Sequence, residues 1–177
     1  MSSGSAQIVK KAKIVDGYFS VYQEQEKPLP FIPFGWMPEQ APNMMNFDIG
    51  HQKEPHSGNT CIAVTIEWKF PWWAGIAWIS EEKWELDDGS IVYDLTGAKR
   101  LVFFLKGKNG NERIQVKIGI LWGRPIGDVI KKKGVKMEKP IESEWLTLTK
   151  KWEKYVIELE DYDLNFVQKE GGCYIPR

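Results

Sequence analysis

The sequence predicts an all-β protein, built as a sandwich of two antiparallel sheets with little or no helix. The first observation is that apolar and polar side chains alternate in residues 60–70 and again in residues 112–121, as is typical of half-buried strands. The second is that no long amphipathic helix pattern occurs in the 177 residues. About eight predicted strands, joined by irregular connections, favour a single sandwich.

The remaining strands follow from shorter patterns. Residues 100–106 are apolar on both faces, which predicts a buried strand. The Asn109-Gly110 pair that follows is typical of a tight turn with positive φ angles, so we expect a hairpin with the strand at 112–121. Residues 24–59 are interpreted as a long structured loop, because they are rich in both proline and aromatic side chains. Further strands are predicted at residues 18–22, 74–79, 145–149 and 154–160.

The length favours one domain, which we assign to residues 18–177. Residues 1–17 are interpreted as an N-terminal leader or an extra strand. The sequence contains no stretch of about 18 apolar residues, which is the length that would predict a membrane span. Lysines at positions 10, 11 and 13 stand where a signal peptide would need its apolar region, so the chain as given shows no export signal.

The composition argues against nucleic acid as a partner and indicates aromatic side chains at the surface. The 24 basic and 24 acidic side chains cancel, so no global field attracts nucleic acid. Nine tryptophans are more than a domain of this size needs for packing, and some should lie at the surface. Cys61 and Cys173 are too few for a zinc site or a disulfide scaffold. They form either one disulfide or two buried thiols.

Five segments carry a family resemblance. They are FGWM at 34–37, PHSGNTCI at 55–62, WAGIAW at 73–78, YDLTGA at 93–98 and LTLTKKWEKY at 146–155. In this order they resemble a bacterial family of galactose-binding-like jelly-roll domains that accompany polysaccharide-acting proteins, and the resemblance covers residues 18–174. It implies a non-catalytic carbohydrate-binding β-sandwich outside the cell or at its surface, often with a structural calcium.

The chain departs from that family in two places. Glu24 lies where members have an aspartate after the first strand, and it joins Asp161 and Asp163 as a candidate oxygen ligand for calcium. The family's closing strand is expected to be missing, or replaced by residues 8–15. A sheet edge left open in this way could bind a protein partner or a second copy of the chain. A structural or protein-binding module is therefore the alternative function.

Sugar binding by such a domain would use tryptophans, because the C–H face of a pyranose ring stacks on a flat aromatic surface. Adjacent residues of an extended chain point to opposite faces of a sheet. At most one of the neighbours Trp72 and Trp73 therefore belongs to the core. The candidates lie in or beside loops. They are Trp36, Trp72, Trp73, Trp78, Trp84 and Trp122.

Catalysis is the least favoured class. A glycoside hydrolase or polysaccharide lyase needs two carboxylates about 5 to 10 Å apart across a cleft, with one pKa raised by an apolar setting. None of the acids is placed in this way, and His56, one of the two histidines, is interpreted as a turn residue. We therefore expect no enzyme. The acids considered are Glu81, Glu82, Asp87, Asp88, Glu158, Glu160, Asp161 and Asp163.

Overall fold

The fold is known from a computed structural model, which describes residues 8–11, 14–15, 17–22, 31–37, 45–67, 73–79, 91–118, 141–162, 164 and 169–176. These residues form strands and no helix, in agreement with the all-β prediction. The strands are β1 (Ile8–Lys11), β2 (Ile32–Met37), β3 (Met45–His51), β4 (Cys61–Ile66), β5 (Trp73–Ile79), β6 (Ile91–Asp94), β7 (Arg100–Leu105), β8 (Arg113–Ile118), β9 (Ile141–Glu142), β10 (Leu146–Thr147), β11 (Glu153–Glu158) and β12 (Lys169–Pro176).

The largest sheet has six strands in the order β10-β8-β12-β5-β2, with β9 also paired to β8. Strand β12 lies in its middle, antiparallel to both β5 and β8. The expectation that the closing strand is missing or replaced is therefore wrong. Strand β1 pairs instead with β6, in a separate two-stranded parallel sheet.

Strands β9 and β10 follow one edge of this sheet and are separated by a bulge. Both pair with β8, but their registers differ by one residue. The hydroxyl of Ser143 accepts a hydrogen bond from the amide of Val116 at 2.9 Å, while the Ser143 amide donates to the Val116 carbonyl at 2.8 Å. The serine thus satisfies the backbone groups that the extra residue would leave unpaired.

Two small antiparallel sheets, β3–β4 and β7–β11, pack on the same face of the six-stranded sheet. Ile76 of β5 and Val116 of β8 are both aligned with Cys173 of β12, and directly paired residues share a face. Ile76 forms a buried cluster with Met45 of β3. Val116 packs against a second cluster that contains Ile157 of β11. Each of the two small sheets thus packs on the large sheet through a buried cluster of its own.

The predicted hairpin between residues 100–106 and 112–121 is wrong. Both strands exist, but β7 pairs with β11 whereas β8 pairs with β9, β10 and β12. The turn at 106–112 therefore crosses from one layer to the other. Its positive φ angles lie at Gly110 (74°) and Asn111 (69°), one residue later than predicted. Strand β7 is half-buried rather than buried on both faces.

Two further interpretations need correction. Residues 24–59 are not one loop, because they contain β2 and β3. Strand β2 ends the sheet order, where a proline such as Pro33 is tolerated because an edge strand can lack one amide donor. Residues 18–22 form no strand beyond an isolated bridge between Val15 and Tyr18. Gly17, with a φ of 80°, turns the backbone between those two residues.

Candidate functional site

Few of the predicted sugar-binding tryptophans have described side chains. Trp72, Trp84 and Trp122 lie outside the described residues. The structure places Trp36 in β2 and Trp73 at the start of β5, and describes only their backbone positions. A binding role for these five residues stays a prediction.

Trp78 is half-buried and packs against the cluster of Met45, Ala74 and Ile76. Its indole nitrogen is buried without a hydrogen-bond partner among the described residues. The ring therefore contributes area to the core, and a buried N–H that lacks a partner opposes part of that stabilisation.

Only one of the three predicted calcium ligands is described, so the calcium site stays a prediction. Glu24 and Asp163 lie outside the described residues. Asp161 is exposed in a turn closed by a hydrogen bond from the Tyr162 amide to the Leu159 carbonyl. Among the described residues, no three His, Cys, Asp or Glu side chains are placed to hold a metal ion.

A surface cluster of three rings, which the sequence analysis did not select, lies against the β7–β11 sheet. We call His56, Phe104 and Trp152 the aromatic cluster. The His56 and Phe104 rings stack with centroids 3.7 Å apart and planes at 22°. Trp152 meets His56 edge-on at 5.8 Å. Phe104 keeps 38% of its surface exposed, and His56 is also exposed.

Each ring comes from a different part of the chain. Phe104 belongs to the outer face of β7, and Trp152 immediately precedes β11. His56 belongs to residues 52–60, which connect β3 and β4 and contain positive φ angles at Glu54 (52°) and Gly58 (64°). These angles bend the connection into a compact turn. As a result, the His56 ring contacts Phe104 on the outer face of the β7–β11 sheet.

Two contacts fix the 52–60 turn to that sheet. The Trp152 indole N–H donates to the backbone carbonyl of Glu54 at 3.0 Å. The Lys106 ammonium donates to the Glu54 carboxylate at 2.8 Å and also lies 5.4 Å from the Trp152 ring centroid. This hydrogen bond and the charge of Lys106 lower the pKa of Glu54 below its ordinary value. The carboxylate is therefore ionised, and available to Lys106, at neutral pH.

The outer face of the β7–β11 sheet continues from the aromatic cluster. Lys154 is paired directly with Phe104, and Val156 with Val102. Val156 is 44% exposed and Lys154 is also exposed. At the far end, the Arg100 guanidinium bonds the Glu158 carboxylate at 3.1 Å. This face presents apolar area near the cluster and a charge pair away from it.

A cysteine, a histidine and an aspartate meet at the β3 bulge, but they do not form a nucleophilic site. His51 pairs with Cys61 across the strands, and its Nδ1 lies 3.1 Å from an oxygen of Asp48. Asp48 also accepts the Gly50 amide and so closes the bulge. Cys61 is a free, buried thiol, and burial raises its pKa. A thiol in this setting stays protonated and unreactive. As Cys61 is free, no disulfide joins it to Cys173.

The acids considered for catalysis divide into two groups. The first lies outside the described residues and comprises Glu81, Glu82, Asp87, Asp88 and Asp163. The second is exposed at the surface and comprises Glu158, Glu160 and Asp161. Glu158 and Glu160 are exposed and pair with Arg100 and Lys99, as expected for solvated surface acids.

Comparison of the chain with protein-family models, with curated proteins and with solved structures found no match in any of the three. In the described part of the chain, no helix combines the length and apolarity needed to cross a membrane. The case for a function therefore depends on the geometry of the aromatic cluster and on the resemblance in the sequence.

Proposed function

We propose that the protein is a non-catalytic carbohydrate-binding module with a galactose-binding-like jelly-roll sandwich, and that the aromatic cluster is a saccharide contact. The observation that carries the proposal is an exposed stack of His56 on Phe104, with Trp152 edge-on and two charged side chains beside it. A pyranose ring presents C–H groups on its faces and hydroxyls at its rim. The rings offer area for the faces, while Glu54 and Lys106 offer an acceptor and a donor for the hydroxyls.

The layered arrangement of the sheets supports the same proposal. Two small sheets cover one face of a larger antiparallel sheet, as the two layers of a sandwich do. The alternative of a protein-binding module rested on an unpaired edge left by a missing last strand. Strand β12 lies inside the sheet, which removes that support. Glycan binding therefore remains the better-supported function.

The test is retention of the purified protein by a panel of polysaccharides in affinity electrophoresis, with calcium and with chelator. Phe104→Ala removes the exposed ring on which His56 stacks. A stacking contribution of about 1 kcal/mol predicts about a fivefold loss of affinity. Trp145→Ala is the matched control, because Trp145 is 39% exposed but lies at the β10 edge beside Arg113. Circular dichroism establishes that each variant is folded.

Retention that Phe104→Ala weakens and Trp145→Ala leaves unchanged would support both the function and the site. Equal weakening by the two variants would move the site away from the aromatic cluster. If the wild-type protein is retained by no glycan, the proposed function is wrong.

A further inference from the structure

The surroundings of the aromatic cluster are basic, although the chain as a whole is neutral. The segments 52–60, 104–112 and 149–154 supply the cluster and its immediate neighbours. They contain six lysines against three glutamates, which leaves a local charge of +3. The whole chain carries 24 basic and 24 acidic side chains, a formal charge of zero. Positive charge is therefore concentrated at the end of the β7–β11 sheet that carries the aromatic cluster.

The three glutamates are all engaged by donors of the protein itself. Glu54 accepts the Lys106 ammonium at 2.8 Å. Glu112 accepts the Asn109 amide at 2.7 Å, and Glu153 accepts the Thr149 hydroxyl at 2.9 Å. Five of the lysines in these segments are exposed side chains outside those bonds. They are Lys53, Lys108, Lys150, Lys151 and Lys154.

Lys154 has the most direct relation to the rings. It is the cross-strand partner of Phe104, so the two side chains share the outer face, with Cβ atoms about 4.5 to 5.5 Å apart. Both are exposed. A ligand stacked on Phe104 would have the Lys154 ammonium within reach of its edge.

We infer that the aromatic cluster binds an acidic polysaccharide, one whose sugar rings carry carboxylates, with Lys154 as the residue that recognises the acid. This inference rests on the proposed function and specifies its ligand class. A uronic acid keeps the C–H face that stacks on an aromatic ring, and its carboxylate projects from the ring edge. A lysine suits a single carboxylate because it acts as a mobile point charge with three donors. The remaining lysines raise the local concentration of a polyanion.

Polygalacturonate and its fully methyl-esterified form are the two ligands for the test, because they share one backbone and differ in charge. Binding is measured by isothermal titration calorimetry at two salt concentrations. We expect at least tenfold tighter binding of the acid form by the wild-type protein, and a loss of most of that preference in Lys154→Gln. Lys99→Gln is the charge-matched control. Lys99 pairs with Glu160 and precedes the opposite end of β7.

The possible outcomes distinguish the proposed glycan binding from the preference for acidic glycans. Equal affinity for the two polymers leaves glycan binding in place and overturns the acidic preference. Binding of neither polymer, together with retention by a neutral glycan in the panel, also overturns the preference alone. A preference that Lys99→Gln reduces as much as Lys154→Gln reflects general charge attraction and overturns the assignment of Lys154. The proposed function fails separately, if no glycan of any charge is bound.

Discussion

The turn that carries the chain from β7 to β8 depends on a glycine. Gly107 is buried, and its amide donates to the Thr149 carbonyl at 2.7 Å. A Cβ placed on Gly107 would overlap the carboxylate of Glu112. That carboxylate is held in place by the Asn109 amide at 2.7 Å, and its second oxygen is buried without a partner among the described residues. Gly107→Ala therefore forces the carboxylate out of its position.

The expected loss in unfolding free energy follows from the hydrogen bond between the Asn109 amide and the Glu112 carboxylate, which is broken. A hydrogen bond to a charged group contributes about 1.5 to 3 kcal/mol, and the partial exposure of Glu112 favours the lower end. A loss of about 1.5 kcal/mol in a chain of this length lowers Tm by about 3 to 6 °C. Thermal unfolding followed by circular dichroism measures this shift.

A double-mutant cycle identifies the cause of the loss. In Glu112→Ala the three atoms nearest to the added Cβ are gone, so adding Gly107→Ala should cost less than about 0.5 kcal/mol. The single and double variants are unfolded under identical conditions. If Gly107→Ala costs the same in both backgrounds, the overlap with Glu112 is not the reason for the glycine and the argument is refuted.

Three other predictions concern titratable groups. In a Cys173→Ser variant, Cys61 should react with a thiol reagent at least about tenfold more slowly in the native than in the urea-unfolded protein. The reason is that burial raises the pKa of the Cys61 thiol. Equal rates in the two states would contradict this. Burial and the neighbouring carboxylate raise the pKa of Tyr155, so its contribution to stability is complete below the ordinary tyrosine pKa of about 10 and is lost above it. Tyr155→Phe should flatten the fall in unfolding free energy between pH 9 and 11, each value measured with urea. The titration midpoint of Glu54, followed by carboxyl NMR, should rise in Lys106→Met, since Lys106 lowers the pKa of Glu54; an unchanged midpoint would exclude the ion pair in solution.

Local patterns predicted the strands well because strand alternation is a local property. Residues 112–121 contain β8, and the buried Ile114 and Ile118 lie on the predicted apolar face. Residues 74–79 and 154–160 match β5 and β11 closely. In β8 and β11 the two-residue period itself reports which side chains are buried, without knowledge of the neighbouring strands.

Pairing could not be predicted in the same way, because it is decided by distant residues. The Asn109-Gly110 pair is typical of a hairpin, but the same glycine-rich turn also allows a crossing between layers. Strand β7 finds its partner in β11, some fifty residues later. Strand β12 contains two adjacent glycines, which weaken any strand signal, and yet the sheet forms around it.

The candidate site was missed for a related reason. Tryptophans were selected by residue type and by their position near loops, whereas the exposed rings of the aromatic cluster include a phenylalanine and a histidine. Phe104 lies between Phe103 and Leu105, and only the pairing with β11 decides which of them faces outward. Trp152, set among charged residues just before a strand, was the one signal in the sequence that could have indicated an aromatic ring at this surface.

The aromatic cluster is ordered by contacts that do not need a ligand. Trp152 and Lys106 bind the 52–60 turn through the backbone and the carboxylate of Glu54, so His56 is already laid on Phe104 in the free protein. A saccharide that meets a pre-ordered surface loses less free energy to ordering of the protein than one that must fix a mobile loop. In the proposed site, Lys106 and Trp152 would therefore support binding in two ways, as part of the surface and as the contacts that hold it in place. Lys154 makes no such contact among the described residues, so in the proposed site it would act on the ligand alone.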